Sequence, residues 1–187
     1  MTNQPIFYTG KGDDGTTTIY GQPERIPKYH PRPEAYGTID EAQALLGLLR
    51  AGTRQPRVKE VLTQVERDLY LMMGQLAVAE HVKLPARPID QSDVDWVENV
   101  TAELGQATTM PTEFILPGDT MTGAYANLAR TVIRRAERYV AKLYDEERLS
   151  NKAILPYLNR LSSLLFVLTL FEDQLGGIEQ PTISKKK

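Results

Sequence analysis

Five segments with a helical repeat of apolar residues restrict the fold of this 187-residue chain more than any other feature. Apolar side chains recur there every three or four positions, so each segment would place them on one side of a helix. Such a face must be buried against another element, and short connections favour packing between neighbouring helices. We therefore predict an all-α fold, a five-helix bundle, with helices over residues 33–50, 56–82, 92–104, 120–147 and 152–174.

The rest of the chain divides into an N-terminal segment and a short tail. Residues 1–33 are rich in Gly, Pro, Thr and Asp and show no helical repeat, which predicts a loop segment. The bundle would cover residues 34–175, and a tail would follow over residues 176–187. A chain of this length suits one well-buried domain, so we predict a single domain over residues 1–187.

Two finer local signals complete this prediction. Extended structure is indicated only at residues 17–20 and 114–116. Ser92 is placed to cap the third helix, and Asp95 follows three residues later as a weak capping box.

Composition excludes several kinds of protein. A net charge of −2 provides no general attraction to nucleic acid or to an anionic membrane, so a basic site must be local. The absence of cysteine excludes disulfides and zinc–thiolate sites and fits a reducing compartment. No uninterrupted apolar run approaches 18 residues, and the N-terminus lacks an apolar signal core. We predict a cytoplasmic protein that binds neither membrane nor nucleic acid.

The fourth helical segment combines an apolar stripe with a stripe of arginines. Arg130, Arg134 and Arg138 follow one another at steps of four, and Arg135 lies beside them. Guanidinium groups match phosphate oxygens in geometry and remain charged at any working pH. The arginines therefore indicate either a polyphosphate site or a solvated face neutralised by Glu137 and later acids. The apolar stripe comprises Leu128, Val132, Ile133, Ala136, Tyr139, Val140 and Leu143.

A glycine-rich motif, TGKGDDGTTT, occupies residues 9–18. Glycines allow backbone N–H groups to approach an anion without obstruction from Cβ atoms. The motif is not a Walker A loop, because Thr16 stands where that loop has its lysine. Lys11 and Lys28 are candidate phosphate partners, and a plain surface turn is the alternative.

Three further motifs are ambiguous when taken singly. EAYGTIDE, at residues 34–41, contains Asp40, which either meets a guanidinium or is simply an exposed acid. FILPGDT begins with Phe114, which core packing explains most simply, and Asp119 or Thr120 could cap the next helix. YLNRLSSLLF contains Asn159, which either contacts a ligand or fixes helix packing.

The two histidines of the chain do not indicate a metal site. A di-iron bundle uses Glu-x-x-His motifs, and neither His30 nor His81 has a glutamate three residues before it. Two separated histidines also make no zinc cluster. We predict no protein-held metal.

Taken together, the motifs resemble those of the PduO-type ATP:corrinoid adenosyltransferases. TGKGDDGTT, EAYGTIDE, FILPG, ARTVIRRAER and YLNRLSSLLFVL occur in that family's order and approximate spacing, from Tyr8 to about Phe171. The resemblance implies ferritin-like up-and-down packing of the bundle, with the N-terminal loop over the active site. It also implies a homotrimer with active sites between subunits.

The activity implied by this resemblance is transfer of the 5′-deoxyadenosyl group of ATP to cob(I)alamin. The products would be adenosylcobalamin and triphosphate, with cobalamin as substrate and Mg²⁺ carried on the ATP phosphates. A corrinoid reductase and an adenosylcobalamin-dependent enzyme are expected partners. The alternative is a non-catalytic nucleotide- or corrinoid-binding regulatory bundle, which would not need Phe114 beside a corrin-sized cavity.

The resemblance also assigns roles to individual residues. ATP would contact Thr9, Gly10, Lys11, Gly12, Thr17, Thr18, Lys28, Arg134, Arg135, Glu137, Arg138 and Asn159. The corrinoid would contact Phe114, Phe166, Asp40 and Arg130, with Asp40 and Arg130 paired across subunits. The catalytic residues would be Arg134, Phe114, Asp40 and Arg130.

Three positions depart from the family's pattern. Gly10 precedes Lys11 where the family often has Thr-Lys, and Asp119 follows FILPG in place of a small residue. Asn127 stands where a histidine is often seen.

Overall fold

A computed structural model describes residues 7–83, 86–146 and 149–185. Within these ranges five helices form, and the predicted five-helix bundle is confirmed: α1 Pro31–Gly52, α2 Pro56–Leu76, α3 Gln91–Gln106, α4 Met121–Glu146 and α5 Ile154–Leu175. Helix α1 packs against α2 and α4, while α5 packs against α3 and α4. The predicted end of the fourth helix at residue 147 lies outside the described residues.

The core consists of the apolar faces that the helical repeat predicts. Leu46 of α1, Leu62 of α2, Ile133 of α4 and Leu161 of α5 are fully buried. Leu128 was expected on the apolar stripe of α4 but is 48% exposed, which corrects that prediction. Helix α5 is long and apolar enough to cross a membrane by length and composition, yet most of its residues are buried inside the bundle.

Two helix ends differ from the prediction. Helix α3 is capped by Asp90 rather than Ser92, because Asp90 accepts a hydrogen bond from the Ser92 N–H at 2.8 Å. Asp93 completes the capping box by accepting from the Asp90 N–H at 2.9 Å. Helix α2 ends at Leu76 instead of residue 82, since the chain beyond Ala77 pairs with the N-terminal segment.

That N-terminal segment contains a small antiparallel hairpin. Strand β1 Thr16–Thr18 pairs with β2 Arg25–Pro27, and the sequence indicated only the first of them. Tyr20 continues the segment by exchanging backbone hydrogen bonds of 2.9 Å with Ala77 and Ala79. Ile19 is 2% exposed. The hairpin is therefore anchored to the end of the bundle where α2 finishes and α1 begins.

At the opposite end of the bundle, the start of α4 is pressed against the end of α5. Thr120 caps α4 by accepting from the Gly123 N–H at 3.0 Å. Asp173 of α5 in turn accepts from the Thr120 N–H at 3.1 Å and from its hydroxyl at 2.6 Å. A Cβ on Gly123 would lie 2.1 Å from Asp173 Oδ1, so only glycine fits there.

Candidate functional site

The glycine-rich loop is held in shape by its own side chains. Arg25 donates to Thr16 Oγ1 at 2.6 Å, to the carbonyl of Lys11 at 2.5 Å and to that of Thr16 at 3.0 Å. The Lys28 N–H donates to the carbonyl of Gly15 at 2.9 Å. Gly10 and Gly15 have φ values of +68° and +79°, which favour glycine.

Lys28 and the loop glycines are brought together by this arrangement. A Cβ added to Gly12 would lie 3.0 Å from Lys28 Nζ, so the ammonium group rests directly on the loop backbone. Asp14 stabilises the following turn by accepting from the Thr16 N–H at 2.9 Å and hydroxyl at 2.7 Å. These hydrogen bonds hold the pKa of Asp14 below its ordinary value. The remaining predicted loop contacts, Thr9, Gly10, Lys11, Thr17 and Thr18, are half-buried or exposed.

Arg134, Arg135 and Arg138 form what we call the arginine face of α4. Arg134 and Arg138 are exposed, and Arg138 donates to the carbonyl of Arg134 at 2.9 Å. Arg135 forms an ion pair with Glu41 of α1. The guanidinium groups are thus tethered at two points while their surface stays open to a ligand.

Among the described residues, Glu137 forms no ion pair with the arginine face. It accepts instead from Asn159 Nδ2 of α5 at 2.8 Å. Asn159 Oδ1 accepts from Arg160 at 2.7 Å, and Arg160 also donates to Glu98 of α3 at 2.7 Å. This chain of contacts across three helices fixes the amide of Asn159 beside α4. The sequence carried no signal for Glu98, which lies 62 residues from Arg160.

Toward the other end of α4 lies a cavity of about 550 Å³, which we call the Phe114 cavity. The Phe114 ring is 84% exposed, so the simplest prediction, that this ring packs in the core, is wrong. Phe166 of α5 is half-buried in the cavity wall. The lining residues are Pro111, Thr112, Glu113, Phe114, Ile115, Pro117, Asn127, Arg130 and Phe166.

Arg130 is the cation in the wall of this cavity. Its Nε donates to Asn127 Oδ1 at 2.9 Å, one turn earlier on α4. Burial lowers the pKa of Arg130, and the neighbouring charge of Arg134 lowers it further. Arg130 nevertheless remains a cation at neutral pH, because a guanidinium does not lose its proton in proteins. Asn127 was noted only as a departure from the family, and its spacing of three from Arg130 could have signalled this contact.

Asp40 is not joined to Arg130 within the single chain. It is exposed on α1, and among the described residues no hydrogen bond or ion pair reaches it. Its neighbour Glu41 is the acid that contacts α4. Within one subunit, the structure therefore separates the two residues that the sequence paired.

A cluster of protein ligands for a metal ion is absent from the described ranges. No group of three or more His, Cys, Asp or Glu side chains is gathered closely enough there to hold one.

Comparison with known proteins identifies a family over most of the chain. The sequence profile described as Cobalamin adenosyltransferase matches residues 7–172. The cobalamin adenosyltransferase of Cupriavidus metallidurans is 39% identical over 170 residues, covering 90% of this chain and 89% of that protein.

Two solved structures of a PduO-type ATP:corrinoid adenosyltransferase from Lactobacillus reuteri share the fold. A phenylalanine-to-alanine variant, complexed with cobalamin and ATP, has a TM-score of 0.86 at 27% identity and covers 97% of this chain and 100% of its own. An arginine-to-lysine variant, complexed with ATP, has a TM-score of 0.85 at 28% identity, with the same coverage.

Proposed function

Because the chain belongs to the cobalamin adenosyltransferase family, we propose that it transfers the 5′-deoxyadenosyl group of ATP to cob(I)alamin. The products are adenosylcobalamin and triphosphate. One observation carries this proposal: α4 presents the arginine face and, one turn before it, Arg130 in the wall of the Phe114 cavity. A helical turn spans about 5.4 Å, so a single ATP can place its phosphates on the arginines and its C5′ near the cavity.

The reaction requires little activation of the nucleophile. Cob(I)alamin supplies the electron pair that forms the cobalt–carbon bond, and cobalt is thereby oxidised from Co(I) to Co(III). The C5′–O bond breaks at the same carbon, and its electron pair leaves with triphosphate. Holding both reactants in line supplies up to roughly 7–11 kcal/mol of the barrier reduction.

Stabilisation of the leaving triphosphate is assigned to cations on both sides of the nucleotide. Arg134 is exposed and not paired with an acid in the described part of the chain, so its fork can meet phosphate oxygens. Lys11 of the glycine-rich loop and Lys28, which follows β2, supply further cations, and Arg135 and Arg138 flank Arg134. Charge placed in advance where negative charge develops is the most effective form of such stabilisation.

The nucleotide is positioned by the remaining polar contacts. Glu137 and Asn159 form one hydrogen-bonded pair beside the arginine face, which presents fixed polar groups to the nucleoside. Backbone N–H groups of Thr9, Gly10 and Gly12, with the hydroxyls of Thr17 and Thr18, cover the phosphates from the loop. Mg²⁺ enters as part of the ATP substrate, with phosphate oxygens as its ligands.

Phe114 is assigned to the lower face of the corrin. Its exposed ring offers an apolar surface of the size needed to exclude water and the lower nitrogen ligand from cobalt. Loss of those ligands leaves a four-coordinate Co(II) centre, which accepts an electron more readily than a five- or six-coordinate one. Phe166 extends the same apolar wall.

The complete site requires a second copy of the chain in this proposal. Asp40 is exposed and has no bonded partner among the described residues of its own subunit, and Arg130 lies in the cavity wall. A homotrimer with Asp40 of one subunit facing Arg130 of another accounts for both. The enzyme acts in the cytoplasm with a corrinoid reductase and supplies an adenosylcobalamin-dependent enzyme.

The test is to mix the purified protein with ATP, Mg²⁺ and chemically reduced cobalamin under anaerobic conditions. We expect the absorption spectrum of adenosylcobalamin to appear together with one triphosphate per cobalamin consumed. Folded, ATP-binding protein that produces neither would favour a non-catalytic regulatory bundle. Size-exclusion chromatography with light scattering measures the oligomeric state of the same sample.

A further inference from the structure

The C-terminal segment of the chain returns to the loop that carries Phe114. Leu116 N–H donates to the carbonyl of Thr182 at 2.7 Å, and Ser184 N–H donates to the carbonyl of Phe114 at 2.8 Å. These bonds make an antiparallel bridge between Ile115 and Ile183. The backbone from the carbonyl of Phe114 to the N–H of Leu116 is therefore tied to residues nearly 70 positions later.

Asp119 closes this bridge. Its Oδ2 accepts from the Thr182 N–H at 2.8 Å, and its Oδ1 accepts from the Thr182 hydroxyl at 2.6 Å. The departure from the family at Asp119 thus has a partner within the chain, and α4 is capped by Thr120 instead. Hydrogen bonds to a carboxylate are stronger than those between neutral groups.

The start of the same loop is also tied to the C-terminal half. Thr109 N–H donates to Gln174 Oε1 at 3.1 Å, and Gln174 Nε2 donates to the carbonyl of Thr109 at 2.9 Å. Between these two attachments the segments border an open cavity of about 260 Å³, so close side-chain packing does not fix the loop there. The loop is held instead by the hydrogen bonds at its two ends.

We propose that Asp119 and Thr182 are positioning residues that hold Phe114 against the corrin. An aromatic ring that is 84% exposed has few neighbours of its own to keep it in place, so its position depends on the backbone that bears it. The inference rests on the function proposed above and deepens it, because it assigns the geometry of the cobalt site to a pair outside the cavity wall.

The experiment compares Asp119→Ala and Thr182→Val with Thr182→Ser, which keeps the hydroxyl. Thr101→Val is the matched control, since the Thr101 hydroxyl donates only to the carbonyl of Val97 in its own helix at 2.7 Å. Magnetic circular dichroism of cob(II)alamin in the presence of ATP measures the four-coordinate fraction. We expect Asp119→Ala to lower the four-coordinate to five-coordinate ratio about five- to tenfold, and Thr182→Val by less.

Other readouts separate positioning from general damage. The Kd for ATP should stay within about twofold in every variant, and Thr182→Ser should match the wild type. Because the two residues share one interaction, the double variant Asp119→Ala/Thr182→Val should lose no more than Asp119→Ala alone. Hydrogen exchange of the Leu116 amide should accelerate in Asp119→Ala whether or not cobalamin is present.

The outcomes are distinguishable. Folded Asp119→Ala and Thr182→Val with the wild-type four-coordinate fraction would overturn the inference, as would an equal loss in Thr101→Val. If Asp119→Ala does not fold, Thr182→Val carries the test. A wild-type protein that makes no adenosylcobalamin overturns the proposed function, and the Leu116 exchange rate then decides whether the pair holds the loop at all.

Discussion

The arginine face and the Phe114 cavity lie on the same helix but are organised in opposite ways. Around the arginine face, polar groups already have partners within the chain: Arg135 pairs with Glu41, and Asn159 with Glu137. At the Phe114 cavity the ring is exposed, and Asp40 of α1, which we propose faces this cavity from another subunit, has no bonded partner among the described residues. The polar groups beside the arginine face are thus already fixed by contacts within the chain, whereas we propose that the corrinoid side is completed by its ligand and a second copy.

Physical chemistry explains this difference. A half-buried amide or guanidinium without partners is costly, so groups such as Asn159 are stabilised by hydrogen bonds before ATP arrives. An exposed phenylalanine ring costs far less in water, and burying it against a corrin releases roughly 1.5–3 kcal/mol. We therefore expect changes on the nucleotide side to affect the chemical step, and changes on the corrinoid side to affect cobalt coordination and corrinoid binding.

The largest effect is expected from Arg134→Ala. Removal of one preorganised group that stabilises developing charge lowers turnover roughly 100- to 1,000-fold. The midpoint of urea unfolding should change little, because Arg134 is exposed and contributes only its backbone carbonyl to the described contacts. Steady-state formation of adenosylcobalamin from prereduced cobalamin measures the loss.

Arg67→Ala serves as the control, since Arg67 is an exposed arginine on α2 away from both regions. Near-normal turnover in Arg134→Ala would remove this residue from the proposed mechanism. A loss of equal size in Arg67→Ala would attribute the effect to net charge rather than to position.

A smaller effect on adenosylation is expected from Phe114→Ala, and its size should depend on whether cobalamin is supplied as Co(II) or as Co(I). Loss of the ring that we propose covers the lower face of the corrin should reduce the four-coordinate Co(II) fraction roughly 10- to 100-fold. Adenosylation starting from cob(II)alamin and a mild reductant should slow accordingly, while adenosylation of prereduced cob(I)alamin should be much less affected. An unchanged four-coordinate fraction in magnetic circular dichroism would contradict the role given to the ring.

The third prediction tests whether the corrinoid side belongs to two subunits. Asp40→Ala and Arg130→Ala should each weaken corrinoid binding about tenfold, or 1.4 kcal/mol, with smaller changes in the Kd for ATP. Co-refolding the two variants should restore part of the activity, since some interfaces then combine an intact Asp40 with an intact Arg130. Mixtures no more active than the separate variants would contradict an Asp40–Arg130 pair between subunits.

Local patterns predicted the helices well because each helix buries its own repeat. Prediction failed where the partner of a residue lies far away in sequence. Helix α2 ends at Leu76 because Tyr20 pairs with the residues that follow it. The apolar repeat of α2 does not indicate that contact. The cap of α3 was misplaced because two acids and a serine stand close together, and only geometry selects Asp90.

In the candidate site, too, local patterns predicted some features, and contacts between distant residues determined others. Four arginines on one helix indicated a phosphate site, and the structure leaves two of them exposed beside a fixed Asn159. Core packing was the simplest explanation for Phe114 because an apolar run normally packs there, yet Phe114 is exposed and the next residue, Ile115, forms a bridge with Ile183. That bridge joins residues 68 positions apart, which no local pattern encodes.

The smallest effect is expected on stability, from a change at Asp173. This residue accepts two hydrogen bonds from Thr120 at the start of α4, the helix that carries Arg130. Within the described part of the chain, the buried Asp173 Oδ2 has no hydrogen-bond partner, whereas Oδ1 accepts both bonds from Thr120. An asparagine could keep those bonds through its own oxygen and carry no charge. Asp173→Asn should therefore raise the free energy of unfolding at pH 7 by about 1 kcal/mol.

The pH dependence provides the check. Burial raises the pKa of Asp173 above its ordinary 3.8, so folding favours the protonated carboxyl. Its contribution is intact at low pH and is lost as the pH rises from 3.8 through the raised folded-state pKa. The advantage of Asp173→Asn in urea unfolding should thus be small near pH 4 and largest above that pKa. An advantage that shrinks with rising pH would show that the ionised carboxylate stabilises the start of α4, and the loop bearing Phe114 would then rest on a charged anchor.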